Sequence, residues 1–386
     1  MALARKDIII SSLCRLLRPF FHLTTSSIPP RQIAAILIIK PCCRGDVLMT
    51  TPLITTLRQA YPKARLDFAV GPHSRAMVEA NPKLDGLVDC GQVGSGRYSL
   101  RDYLALVNRI RQGHYEACFV PDRSPLITLL PALAGIPWRV GLDSHGRGFS
   151  LSVRIPVNEI KHEVELYLDL ARAIGIPVQN PHLEFYPIDE DRARVASLLA
   201  RAGDMSSGLQ RTVVIHPGGG VNPGMVLSAK RWPPERFGAV AQRLSDAGHT
   251  IILVGGPDDI PIAAAVRAAM KREPIDLTGR LSFGELGALM ERVHMFIGND
   301  TGALHLAVAM GVPVVALYGP SDPRIYGPYG GRSVVLWHPP ECSPCLVSGR
   351  WNQACCDYQC IRAIAVEEVY EAALSLLEAE TKPPSL

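Results

Sequence analysis

Five short segments hold residue types that could do chemistry on a phosphate or a hydroxyl. Gly298-Asn299-Asp300-Thr301-Gly302-Ala303-Leu304-His305 runs from the end of an apolar stretch into a helical pattern. A helix start carries unpaired N–H groups and a positive dipole end, so this is a ready phosphate site, although Asp300 or Thr301 could equally be an ordinary helix cap. His216-Pro-Gly-Gly-Gly220 would let a backbone come close to a ligand or simply turn. Lys230-Arg231 sits just ahead of another helix, where Lys230 would suit a diphosphate as a point charge or remain a solvated surface cation. In the first half, Arg44-Gly45-Asp46 follows the first apolar run. Asp46 there is either a general base or a helix N-cap. Asp122-Arg123 closes a later strand in the same way. Neither a Walker loop nor a GxGxxG fingerprint is present, which disfavours a dinucleotide-dependent oxidoreductase.

The elements that position these segments alternate. Ile33–Ile39 is a continuous apolar run, as expected of a strand buried on both faces of a parallel sheet. A helix over Val47–Ala60, strands at Leu66–Val70, Gly86–Cys90 and Ala117–Val120, and helices at Pro72–Ala80 and Leu100–Arg111 continue the series. The second half repeats it. Strands fall at Thr212–Ile215, Thr250–Val254, Ile275–Leu277, Met295–Ile297 and Val314–Leu317. Helices fall at Pro234–Ala247, from Ile260, at Phe283–Arg292 and at Ala303–Met310. The expectation is an α/β protein of two doubly wound layers with a ligand cleft at the carboxyl ends of their strands. The expected division is an N-terminal segment 1–30, a first doubly wound domain 31–185, a second 205–365 and a C-terminal helix and tail 366–386.

Composition agrees. The 386 residues are 47% hydrophobic and 20% charged, which excludes disordered, collagenous and low-complexity classes. Forty basic against 36 acidic residues leave a formal charge of +4, too mild to indicate nucleic acid. Cysteines Cys342, Cys345, Cys356 and Cys360 have the spacing of a structural metal site, with free or paired thiols as the alternative. The scattered remainder favours a reducing compartment. Residues 7–21 are apolar but broken by Arg15, Arg18 and Pro19, so neither a membrane span nor a signal peptide is expected. A basic amphipathic helix lying on a membrane and a helix packed on the protein's own surface both fit.

Taken together, ILIIKPCCRGDVLMTTPLITTLRQAYPKARLDFAVGP, IHPGGG, KRWPPERF, ILVGGPDD, DLTGRLSFGEL and FIGNDTGALHLAVAMGVPVVALYGPSDP resemble the family 9 glycosyltransferases, the ADP-heptose:lipopolysaccharide heptosyltransferases. The similarity runs from about Ile33 to Ala373. It implies a GT-B fold, two Rossmann-like domains facing a central cleft, and metal-independent inverting transfer without a cofactor. It further implies Asp46 as the base that deprotonates the acceptor hydroxyl and Lys230 as the neutraliser of the diphosphate. Asp300, Thr301 and Gly302 would hold the diphosphate, with His305 one turn on. Gly218 and Gly219 would line the donor site, Thr278 and Leu281 would approach the nucleoside, and Arg44 and Arg123 would meet an anionic acceptor. The implied partners are ADP-heptose, a lipid A/Kdo-containing acceptor and the inner-leaflet surface, with the enzyme cytoplasmic and peripheral. Pro41-Cys42-Cys43 departs from the small or aliphatic residues usual in that loop. A related transferase with another nucleotide sugar or surface glycan, or a non-catalytic binding module, are the alternatives.

Overall fold

The apolar runs become the inner strands of two parallel sheets. In the computed structural model, which describes residues 5–22, 32–95, 98–201, 212–222, 225–347, 350–351, 355 and 357–379, the chain divides into two units, 1–181 and 182–386. The first unit contains α1 (Arg5–His22), β1 (Ala35–Ile39), α2 (Arg44–Met49), α3 (Thr51–Ala60), β2 (Arg65–Val70), β3 (Gly86–Asp89), α4 (Leu100–Gln112), β4 (Ala117–Val120), α5 (Pro125–Leu133), β5 (Trp138–Asp143), β6 (Val153–Pro156) and α6 (Glu163–Arg172). Its strands pair in parallel in the order β3-β2-β1-β4-β5-β6. All of β1 and β4 is buried, which is why their sequences are uninterrupted apolar runs and do not alternate.

The second unit contains α7 (Asp189–Arg201), β7 (Thr212–His216), a short hairpin β8 (Val221–Asn222) and β9 (Met225–Val226), α8 (Pro234–Asp246), β10 (Thr250–Leu253), α9 (Ile260–Ala268), β11 (Ile275–Asp276) and α10 (Phe283–Met290). It continues with β12 (Met295–Asn299), α11 (Gly302–Ala309), β13 (Val314–Tyr318), α12 (Pro323–Tyr326), β14 (Ser333–Trp337), β15 (Leu346–Val347), β16 (Arg350–Trp351), α13 (Gln359–Arg362) and α14 (Val366–Ala379). The large sheet runs β11-β10-β7-β12-β13-β14, the same spatial order as in the first unit. In each sheet the winding direction reverses between the first and fourth strands, β1/β4 and β7/β12, and the carboxyl ends at such a reversal leave room for a ligand.

Several local outcomes differ from the sequence expectation, among them the helix expected at Pro72–Ala80, which is a short 3-10 helix over Pro72–Met77. The helix expected over Val47–Ala60 is two helices, interrupted at Thr50. Pro52 has no N–H to give to the carbonyl four residues back, and the Thr51 hydroxyl donates to Leu48 O instead, at 2.7 Å. Helix α7, in the interval between the two expected domains, packs on α10, with Val195, Leu198 and Leu199 buried, and so belongs to the second unit. The C-terminal helix α14 is part of the second core, with Val369 and Ala373 buried in one cluster with Trp232, Val240 and Ile364.

Candidate functional site

In the first unit, charged residues meet at the β1/β4 reversal. Lys40 directly follows β1, Asp122 lies two residues after β4, and their Nζ and Oδ2 are 3.2 Å apart. Asp46, in the first turn of α2, lies 3.8 Å from the same Nζ. Arg123 pairs with both carboxylate oxygens of Glu163, a fully buried residue at the start of α6. Burial raises the Asp46 pKa above its ordinary value. Lys40, Arg123 and the Cys43 N–H oppose the rise, and Glu163 adds to it. Lys40 loses by burial but gains more from Asp122, Asp46 and Glu163, so it stays firmly protonated. A half-exposed carboxylate of raised basicity, held against one fixed cation, suits proton abstraction from a hydroxyl. As for the cap alternative, Cys43 holds the N-cap position of α2 without a side-chain cap hydrogen bond, and Asp46, three residues on, accepts from the Cys43 N–H. Arg44 turns away from this cluster: its Nε donates to His73 O at 3.0 Å. Cys42 and Cys43, just upstream, are joined by a disulfide.

In the second unit, the β7/β12 reversal brings together the glycine loop, the Lys-Arg segment and the start of α11. Lys230 Nζ is 2.5 Å from Asp300 Oδ2, and His305 Nε2 is 3.9 Å from Asp300 Oδ1. All three are at most slightly exposed. Burial would raise the Asp300 pKa, but Lys230, His305 and the Ser321 hydroxyl outweigh it and hold the carboxyl below its usual value. Lys230 is therefore not a bare cation; its charge is shared with a carboxylate that fixes where the ammonium points. Thr301 is the N-cap residue of α11, yet its side chain makes no cap hydrogen bond and its buried Oγ1 has no hydrogen-bond partner. The buried Oγ1 of Thr278 also lacks one. Buried polar atoms left open in this way are normally met by water or a ligand.

The glycine loop is shaped by close approach. Gly219 has φ +93°, and a Cβ there would sit 2.2 Å from Thr301 Cγ2. A Cβ on Gly218 would sit 2.1 Å from the Asp259 carboxylate. Thr278 lies next to Gly255, whose Cβ would be 3.2 Å from its methyl group. Leu281 lies three residues further, half-buried just before α10.

Two residues given no role from sequence hold this site together. Asn299, fully buried at the end of β12, donates to Pro217 O at 3.0 Å and Gly218 O at 3.1 Å, and accepts from Trp232 N at 3.0 Å. Asp259 accepts from Gly219 N at 3.1 Å and Gly256 N at 2.9 Å. Both stand inside the quoted motifs, but only the sheet order brings them to the loops they hold. Asn299→Ala is expected to leave buried loop groups unpaired and destabilise the second unit by roughly 2–4 kcal/mol, read as a lower urea midpoint with the first unit's transition unchanged. In the first unit, Lys40 and Glu163 were missed likewise. A lone lysine at a strand end and an acid opening a helix give no signal until the reversal and α6 bring them to Asp46.

The cysteine segment holds Cys342, Cys345, Cys355 and Cys360 as free thiols. Burial raises Cys345, and pushes Cys360 up to about 11. Cys356, one of the four residues of the expected metal set, lies outside the described residues, among which no group of three or more His, Cys, Asp or Glu could hold a metal.

Comparison with known proteins bears on the whole arrangement. The model of glycosyltransferase family 9 (heptosyltransferase) matches residues 103–355. Lipopolysaccharide heptosyltransferase 2 of Escherichia coli (strain K12) is 28% identical over 311 residues, covering 78% of this chain and 87% of the relative. The solved structure of a family 9 glycosyl transferase from Veillonella parvula DSM 2008 superimposes with a TM-score of 0.77 at 24% identity, over 92% of this chain and 100% of that one. That of E. coli ADP-heptose lps heptosyltransferase II does so with a TM-score of 0.68 at 23% identity, over 90% and 100%. These structures share the fold, which is of the GT-B type with two Rossmann-like units. The family match covers β4 and Arg123 in the first unit and every element around Lys230 and Asp300 in the second, and the chain belongs to glycosyltransferase family 9, the heptosyltransferases.

Proposed function

We propose that this glycosyltransferase moves heptose from ADP-heptose, with inversion, to the inner core of a lipopolysaccharide acceptor, at the cytoplasmic face of the membrane that carries the acceptor. The observation that carries the reading is the buried Lys230–Asp300 pair at the N-terminus of α11, beside Gly219. Breaking a glycosyl–phosphate bond puts negative charge on the departing diphosphate. A fixed ammonium and the open N–H groups at Gly302 stabilise that charge without reorganising, as electrostatic catalysis requires. In this reading Lys230 meets the diphosphate and Asp300 orients Lys230, since a carboxylate would repel phosphate. The Thr301 hydroxyl and the Gly302 N–H complete the diphosphate contacts, with His305 behind Asp300. Gly218 and Gly219 admit the donor, and Thr278 and Leu281 border its nucleoside.

Asp46 takes the proton of the attacking hydroxyl in the same reading, and Lys40 holds its carboxylate in place. Arg44 and Arg123 are the proposed contacts of the acceptor's anionic groups, each sharing its guanidinium with His73 or Glu163. Relatives named as heptosyltransferases support the donor and acceptor classes. Calorimetry with ADP, UDP and GDP tests the donor: ADP is expected to bind roughly tenfold or more tighter than the other two. Preference for UDP or GDP would overturn ADP-heptose as donor.

A further inference from the structure

Helix α1 is mounted with its apolar side outward. Ile8, Ile9, Leu13, Leu16, Leu17 and Phe20 are 50%, 68%, 56%, 72%, 37% and 71% exposed, so among the described residues six of the 15 exposed large hydrophobic side chains fall on this one helix. At about 100° per residue they occupy one side of the helix, over a length of about 18 Å. The opposite side is the one that docks. Asp7, Ser11 and Cys14 are buried, Asp7 pairs with Arg147 at 2.7 Å, and Phe21 meets Phe149 edge to face at 5.3 Å. The buried ion pair and the ring contact thus hold the helix in an orientation that leaves its oily face in water.

The exposed charges of α1 itself have one sign, while Asp143 of the underlying sheet acts on Cys14 and Arg154 from the docked side. Asp7 is the sole acid of α1, and it is buried against Arg147. Arg15 and Arg18 are exposed, and Arg18 lies close enough to Arg154, on β6, to act on its proton affinity. No helix among the described residues is long and apolar enough to cross a membrane. An outward apolar stripe with Arg15 at its edge, on a helix whose exposed charges are all basic, is the build of a helix that lies in a lipid interface. Self-pairing of the face would set these arginines among like charges, with no exposed acid on the helix to meet them.

We propose that the outer face of α1 docks the enzyme on an anionic phospholipid surface, with Ile9, Leu13, Leu16 and Phe20 entering the interface and Arg15, at the edge of that face, at the headgroups. The inference deepens the proposed function, resting on its lipid-borne acceptor for biological sense, but its physical basis is α1 alone.

Flotation of the full-length protein with vesicles tests it. The protein is expected to float with phosphatidylcholine–phosphatidylglycerol vesicles, less with phosphatidylcholine alone, and less as salt is raised. The double variant Leu16→Glu/Phe20→Glu is expected to lose about tenfold or more of the bound fraction. Its thermal unfolding, gel-filtration volume and ADP calorimetry should match the wild type. A wild type that stays with the pellet, or a variant that floats as well as the wild type, overturns the proposal. A change in oligomeric state in the variant overturns it in favour of a second copy of the chain on this face. Because ADP binding is read separately, loss of the donor assignment and loss of the docking assignment are distinguishable.

Discussion

Asp46→Asn is expected to lower kcat by about 10²–10⁴-fold while ADP affinity stays at the wild-type value. The amide keeps the shape of the carboxylate and removes only its capacity to take a proton. Asp46 lies on the first unit and the donor residues on the second, so binding and proton transfer are separable by experiment. The pH dependence follows from the same surroundings. A general base works ionised, so kcat/KM falls as pH drops through the pKa of Asp46. Burial, with Glu163 adding to it against Lys40, sets that fall above the ordinary value of 3.8. An acid limb in the wild-type profile that disappears from the residual activity of Asp46→Asn is the expected signature. Near-normal turnover in the variant would sink the role.

Lys230→Ala should weaken ADP binding by about 10²-fold in calorimetry. Two effects combine. The diphosphate loses its ammonium, and Asp300, with a side chain only 6% exposed, is left a buried anion without its nearest cation, facing the proposed phosphate site with His305 and Ser321 as its remaining partners. The double variant Lys230→Ala/Asp300→Ala is therefore expected to recover part of the loss, because the repelling charge has gone with the attracting one. Such recovery is the coupling that a double-mutant cycle measures for groups in contact. If the two losses simply add, Asp300 does not act through Lys230.

Much of the architecture was readable without coordinates. Ile36–Ile39, Val213–Ile215 and Val314–Leu317 are short apolar runs rich in β-branched residues and bounded by glycine, proline or polar residues, the pattern of a strand covered on both faces. The strand ends could be read for the same reason. Glycine, proline and short polar residues interrupt the runs, and Asp46, Gly218, Gly219 and Asp300 stand at those interruptions. The break at Thr50 was local too, and was hidden because the apolar spacing continues across Pro52.

What the tertiary structure decided is who meets whom. Lys40 finds Asp122 at a separation of 82 residues, Lys230 finds Asp300 at 70, and Asn299 reaches the glycine loop at 81 and 82. None of these partners can be inferred from spacing along the chain, because strand order sets them, and order depends on the packing of the whole sheet. The same holds for α1. Its residues make it amphipathic in any context, whereas the Asp7–Arg147 pair, 140 residues apart, decides which side faces the protein and leaves the apolar side to solvent.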